Sequence, residues 1–283
     1  MSALIPGVAA SISEHVWRVL ALNPGMMTGP GTNSYLIGDT SLTVLDPGPA
    51  DSRHVDNLLA AAEQIGVPIR HVLVTHTHRD HSPAAALLAE KLDAELIGPL
   101  APDDGLQDDA WHPTRTVNDG DVLDAGGLPL RAIATPGHVG NHFCYLLEQQ
   151  QLLFTGDHLI HGSTVVIAPP SGDMRAYLQS LEKLTAEDIR LMAPGHGDLI
   201  RDPADYIVKT IAHRYKREEK VVQALAAQAG PVPVNQLVPA VYDDVPAFLH
   251  GVAAMSLLAH LIKLEGDGQA HRDSQNQWLA SGP

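Results

Sequence analysis

The sequence predicts a layered α/β domain followed by a small, mainly helical unit. Two observations lead there. Up to Asp202, short apolar strands alternate with Ala/Leu-rich helical stretches. From Pro203 the texture changes to three helical segments and a ragged or strand-like tail. The expected division is therefore 1–202 and 203–283, with no internal repeats or low-complexity tracts.

Ser34–Gly38 and Leu42–Leu45 read as strands around a Gly-Asp-Thr turn, and Asp46-Pro47-Gly48-Pro49 ends the second. Asp51–Ile65 has helical spacing and stops at Gly66, a good C-terminal cap. Ile69–Thr75 reads as a β-branched run, expected of a strand buried on both faces. Ser82-Pro83 opens the next helix, with Ser82 expected as its cap. Strands follow at Leu128–Ala134, His142–Leu147 and Gln151–Thr155, then a helix at Met174–Leu184 and a strand at Ile189–Ala193. In the C-terminal part, helices are expected at Asp205–Gln228, Asn235–Tyr242 and Ala247–Leu264, then a possible hairpin after Gly266-Asp267-Gly268. That is the outline of a winged helix.

Composition narrows the function. Of 283 residues, 45% are hydrophobic but only 4% aromatic, so the core must be aliphatic. Cys144 is the sole cysteine, which rules out an intramolecular disulfide and a thiolate cluster. The net charge of −15 lies mostly before Pro203, where Asp and Glu outnumber Lys and Arg by 25 to 11. Such a surface disfavours long-range attraction of nucleic acid or an anionic membrane. Met1–Ala10 lacks the basic residues of a secretory leader, and no apolar run reaches the length of a membrane span. A soluble, cytoplasmic protein is expected.

Histidine is the compositional signal, at 16 copies against 18 Lys plus Arg. Thr75-His76-Thr77-His78-Arg79-Asp80-His81 puts three imidazoles and a carboxylate between a buried strand and a helix. Crowded imidazoles repel when protonated and cost free energy when desolvated. A metal ion resolves both problems, because neutral imidazole and carboxylate are good ligands for zinc-like ions. Three more strand-end segments supply ligand-type residues beside glycine: Pro136-Gly137-His138, Thr155-Gly156-Asp157 and Pro194-Gly195-His196.

This series resembles the metallo-β-lactamase superfamily, whose HxHxDH signature implies an αββα sandwich. The resemblance implies that His76, His78 and His138 hold one divalent ion. It gives a second ion to Asp80, His81 and His196, with Asp157 bridging. Zinc is expected for both ions, with manganese or iron as alternatives. Asn23-Pro24-Gly25, Gly31-Thr32-Asn33-Ser34-Tyr35-Leu36 and Ala168-Pro169-Pro170-Ser171-Gly172-Asp173-Met174 are similar to the beta-lactamase-like protein 2 group, which carries a winged-helix-like C-terminal domain. That likeness places Thr32 and Asn33 near the pocket as candidate substrate-binding residues, and His161, beside a ligand segment, is a third candidate.

The expected function is hydrolysis of an ester, thioester or other small anionic substrate by a metal-bridging hydroxide, which Asp80 orients. Single-strand endoribonuclease activity is the alternative, and a metal-bearing binding module without turnover is the non-enzymatic one. For RNA, the sole basic cluster is Arg214, Lys216, Arg217 and Lys220, read as a solvated helix face. The apolar helix Ala247–Leu264 needs a partner surface, which packing over the metal domain or a homodimer would supply.

Overall fold

The computed structural model describes residues 5–281. They form two compact units. The first contains residues up to Thr135, 141–164 and 187–203; the second contains Pro136–Gly140, Val165–Ala186 and the chain from Ala204. Two segments before residue 202 therefore pack with the C-terminal part rather than with the sheets.

In the first unit, β1 (Ala10–Ser13), β2 (Val16–Leu20), β3 (Asn33–Ile37), β4 (Leu42–Leu45), β5 (Ile69–Leu73), β6 (Glu95–Gly98) and β7 (Arg115–Thr116) form one sheet in chain order. Strands β4, β5, β6 and β7 run parallel. Helices α1 (Ser52–Ile65) and α2 (Ala84–Lys91) are the crossovers. The second sheet has the order β12-β11-β10-β9-β8, from β8 (Val122–Asp124), β9 (Pro129–Ala134), β10 (Phe143–Leu147), β11 (Leu152–Gly156) and β12 (Leu191–Pro194).

The alternation of side chains explains why the central strands read as unbroken apolar runs. Tyr35, Leu45 and Leu73 join one core with Tyr145, Leu152 and Phe154 of the other sheet. Leu36, Val44 and Val72 point the other way, into a core with Val55 and Leu58 of α1 and Leu88 of α2. Asp51 caps α1 by accepting from the Arg53 amide, and Gly66 closes it at φ 87°.

Two local expectations fail. Ser82 does not cap α2; its hydroxyl donates to Asp108 at 2.8 Å and ties the following loop to the His76–His81 segment. Ile69–Thr75 is not fully buried on both faces, because Arg70 is exposed and His71 partly so.

The second unit contains α3 (Met174–Leu184), α4 (Pro203–Ala226), α5 (Val234–Val241), α6 (His250–Gly266) and the antiparallel hairpin β13 (Ala270–Arg272) with β14 (Trp278–Ala280). This is a winged helix: three helices and a two-stranded wing around Leu225, Leu237, Leu257, Leu261 and Trp278. By length and composition, Ala247–Gly266 is apolar enough to cross a membrane, contrary to expectation. Its Ala253, Leu257, Leu261 and Leu264 instead make the core of this unit.

The basic cluster is also not the solvated face expected. Arg214 and Arg217 are buried. Arg214 donates to the Val165 carbonyl, and Arg217 donates to Asp244 at 2.7 and 3.0 Å while lying over the Tyr242 ring. Lys220 pairs with Asp243.

Candidate metal centre

The predicted ligands sit just beyond the C-terminal ends of strands, where an α/β sheet leaves a crevice. His76–His81 follows β5, Asp157 follows β11 and His196 follows β12. Glycine permits the close approach. A Cβ on Gly195 would lie 2.7 Å from both Asp157 Oδ1 and His81 Cε1. A Cβ on Gly156, at φ 46°, would meet Thr75 Oγ1 at 2.5 Å.

Within the first unit, the buried set His76, His81 and Asp157 has donor atoms close enough to share one ion, as does Asp80, His81 and His196. Asp157 Oδ1 lies 3.4 Å from His81 Nε2 and 3.3 Å from His196 Nε2. Asp80 Oδ2 lies 3.1 Å from His196 Nε2. His78 places Nδ1 3.0 Å from His76 Nε2. The donor set therefore fits divalent cations, since neutral imidazoles and carboxylates converge with several lone pairs facing one another.

Their orientation follows from what the outward ring nitrogens touch. His81 Nδ1 meets Asp46 Oδ2 at 3.0 Å. Thr75 donates its hydroxyl to the same Asp46 oxygen at 2.8 Å, so its lone pair can accept only from His76 Nδ1, 2.9 Å away. His196 Nδ1 faces the Gly31 carbonyl at 3.2 Å. A carbonyl or carboxylate only accepts, so each Nδ1 carries the hydrogen and each Nε2 is left for an ion.

Electrostatics agree. Burial alone would lower the pKa of His81, but Asp80, Asp157 and Asp46 together hold it well above the usual range. His196 is likewise raised to about 10, with Asp157 and Asp80 outweighing burial. His76 goes well below its usual value because burial is reinforced by His81, His78 and His142. Burial works against the ionised form of Asp157, yet His196 and His81 keep it well below the carboxylate range. Cations at this centre would take the place of protons on His81 and His196.

His138 belongs to the second unit, on the Pro136–Gly140 segment. It is half-buried and its Nδ1 donates to the Val166 carbonyl at 2.7 Å, the same arrangement as the others.

Thr32 and Asn33, expected near the pocket, are both completely buried. Asn33 donates to the carbonyls of Pro194 and Gly197 at 2.9 Å, and Thr32 is bonded to Asn23, so they anchor the turn that carries His196. His161 is exposed, with its amide bonded to the His196 carbonyl.

Asp46 escaped the sequence reading, which took Asp46-Pro47-Gly48 as a strand terminator. It is buried, sits at φ 50° and accepts from the Thr75 amide at 2.7 Å as well as from Thr75 and His81. The available signal was a carboxylate ending the strand adjacent to the one that leads into the histidines.

The metallo-beta-lactamase superfamily model matches residues 27–196, and the beta-lactamase associated winged helix domain model matches 234–278. The lactamase-like protein adaB of Aspergillus niger is 32% identical, over 96% of this chain and 88% of its own. The atrochrysone carboxyl ACP thioesterase of Aspergillus chevalieri is 32% identical, over 90% of this chain and 82% of its own. Among solved structures, a beta-lactamase domain protein from Burkholderia ambifaria superposes with a TM-score of 0.83 at 21% identity, covering 99% of this chain and 97% of that one.

Proposed function

The chain belongs to the metallo-beta-lactamase superfamily and is a hydrolase, and from that premise we propose that it is a dinuclear enzyme cleaving acyl thioesters. His76 and His78 would hold one divalent ion, Asp80, His81 and His196 the other, and Asp157 would reach both. The observation that carries this is the shared tautomer: four imidazoles spend Nδ1 on oxygen acceptors and keep Nε2 for a ligand.

When bound, paired divalent ions polarise the acyl oxygen and make water acidic enough to ionise near neutral pH. The protein's own groups supply position. Asp46 fixes His81 directly and His76 through Thr75. Asp80 orients the attacking water at the edge of the centre, and Asp157 holds the centre together. Exposed His161, beside His196, is available to touch the substrate. The thioester is favoured over a phosphodiester by the relatives named thioesterases and by the burial of Arg214 and Arg217, which leaves the basic cluster without two of the four cations an RNA contact would use.

The test replaces Asp157 by Ala and measures metal content and turnover on acyl-CoA, acyl-glutathione, single-stranded RNA and a β-lactam. We expect thioester turnover to fall by at least about 100-fold, with loss of metal, since even outer partners of ligands cost 10- to 100-fold. Two retained ions with full activity would remove the bridging assignment. RNA cleavage that disappears in Asp80→Ala would replace the thioester by RNA.

A further inference from the structure

His142 is not among the seven predicted ligands, yet it is buried within the same cluster, its ring centroid 5.1 Å from that of His76. We propose that His142 is a positioning residue for Asp157, acting as the neutral tautomer that accepts the Asp157 backbone amide and so sets where that carboxylate points.

Hydrogen-bond direction leaves one assignment. The amide of Asp157 can only donate, and it lies 3.1 Å from His142 Nε2. Nε2 is therefore a bare lone pair, and the ring hydrogen sits on Nδ1. Nδ1 lies 2.8 Å from Thr135 Oγ1, which accepts it. Thr135 then donates its own hydrogen to Cys144 Sγ at 3.3 Å, and the thiol in turn faces the Thr155 carbonyl at 3.7 Å.

The chain of donors thus runs from the residue after β11 through His142, Thr135 and Cys144 back to β11 itself. His142 is the one link in that chain which meets the Asp157 backbone. The tautomer is the same as in the ligand histidines, with the hydrogen on Nδ1, but there the Nε2 lone pair is left for an ion. Here the same kind of lone pair is used on a peptide group.

Two further features make this role specific. Thr135 directly follows β9 and Cys144 lies on adjacent β10: Cys144 pairs with Ile133 in the β9–β10 ladder, and the Thr135 amide bonds to the His142 carbonyl at 2.9 Å. The imidazole is therefore held by sheet pairing rather than by a mobile loop. Gly156, immediately before Asp157, could not bear a side chain, because its Cβ would fall 2.7 Å from His142 Nε2. Glycine there lets the imidazole reach the next amide.

The inference deepens the reading of Asp157 as a metal ligand, but its first test does not depend on metal. His142→Gln keeps an acceptor near the Nε2 position and loses the donor to Thr135. His142→Asn keeps a donor near Nδ1 and loses the acceptor for Asp157. Amide hydrogen exchange at Asp157, measured by NMR on the full metal-free chain, is expected to quicken about fivefold to tenfold in His142→Asn, the equivalent of one net hydrogen bond. In His142→Gln it should stay near the wild-type rate. Equal rates in wild type and His142→Asn, or equal acceleration in both variants, would overturn the proposal.

Should His142→Asn not fold, Thr135→Val keeps the imidazole but removes the oxygen that holds its tautomer. A smaller acceleration of the same amide is then expected, and no acceleration overturns the proposal. The second readout is zinc affinity by competition with a chromophoric chelator, expected to weaken about 10- to 100-fold in His142→Asn and to be retained in His142→Gln. A wild-type chain that binds fewer than two zinc ions would sink the dinuclear reading instead, leaving the amide rates to judge His142.

Discussion

Two segments of this chain concentrate ionisable side chains, His76–His81 and His213–Lys220, and the structure uses them in opposite ways. In the first, imidazoles and carboxylates converge on one another, with ring nitrogens 3.0 and 3.3 Å apart. In the second, each of three cations turns to its own acceptor: Arg214 to Val165, Arg217 to Asp244 and Val241, Lys220 to Asp243. A density of charged residues is therefore not by itself a site. What marks one is that several groups turn donor atoms towards a shared centre.

The strongest way to break this comparison is Arg217→Ala. If Arg217 is a structural cation, its loss removes two carboxylate bonds, a carbonyl bond and the stack on Tyr242. We expect about 3–4 kcal/mol of destabilisation, measured by denaturant unfolding of the full chain. A change below about 0.5 kcal/mol would return Arg217 to the solvated face that the sequence suggested.

Buried histidines sharpen the contrast. His81 is raised by three carboxylates, whereas His54 is buried against Ser34 at 2.8 Å and is pushed down to about 4, burial outweighing Asp51. With a folded pKa below the unfolded value, the unfolded chain binds the extra proton. His54 therefore costs nothing above about pH 6.5, and stability falls as the pH drops from there towards 4. Relative to His54→Gln, the wild type should lose on the order of 2–3 kcal/mol more over that window. Parallel unfolding curves from pH 7 to 4 would refute it.

Asp46→Asn tests whether the histidine cluster depends on its outer carboxylate. Asn tolerates the positive φ, so the substitution mainly removes charge and one acceptor. Metal affinity should weaken about 10- to 100-fold, roughly 1.4–2.7 kcal/mol, by chelator competition. Unchanged affinity would mean that the tautomers of His76 and His81 are held without Asp46.

Much of this was legible beforehand, for physical reasons that differ by element. The central strands and α1 announced themselves because their periodicity is the burial pattern itself, as Tyr35 and Leu36 entering opposite cores illustrates. The ligand residues announced themselves because histidine beside glycine at a strand end has few structural uses. The edge strands β1, β7 and β8 were missed: they are short and have exposed residues, so they lack a clear alternation. Asp46, the peptide N–H that His142 meets and the partners of Arg217 were missed because their meaning depends on atoms far away in sequence. No spacing rule reports that Asp244 meets Arg217, or that a peptide N–H meets His142.

The smallest predicted effect addresses what remains of the basic face of α4. Lys216 is exposed, and Lys209 is paired with Asp205 at 2.7 Å on the same helix. A surface that tracks a phosphate backbone needs several cations acting together, and each contributes to the salt dependence of binding. With Arg214 and Arg217 buried, Lys216 should be an ordinary surface residue. Lys216→Ala is expected to change stability by less than about 0.5 kcal/mol. It should also leave single-stranded RNA retention on a filter unchanged at low and high salt. A loss of RNA binding with a shallower salt slope would show that Lys216 belongs to a nucleic-acid surface, and the two charged segments would then both be functional.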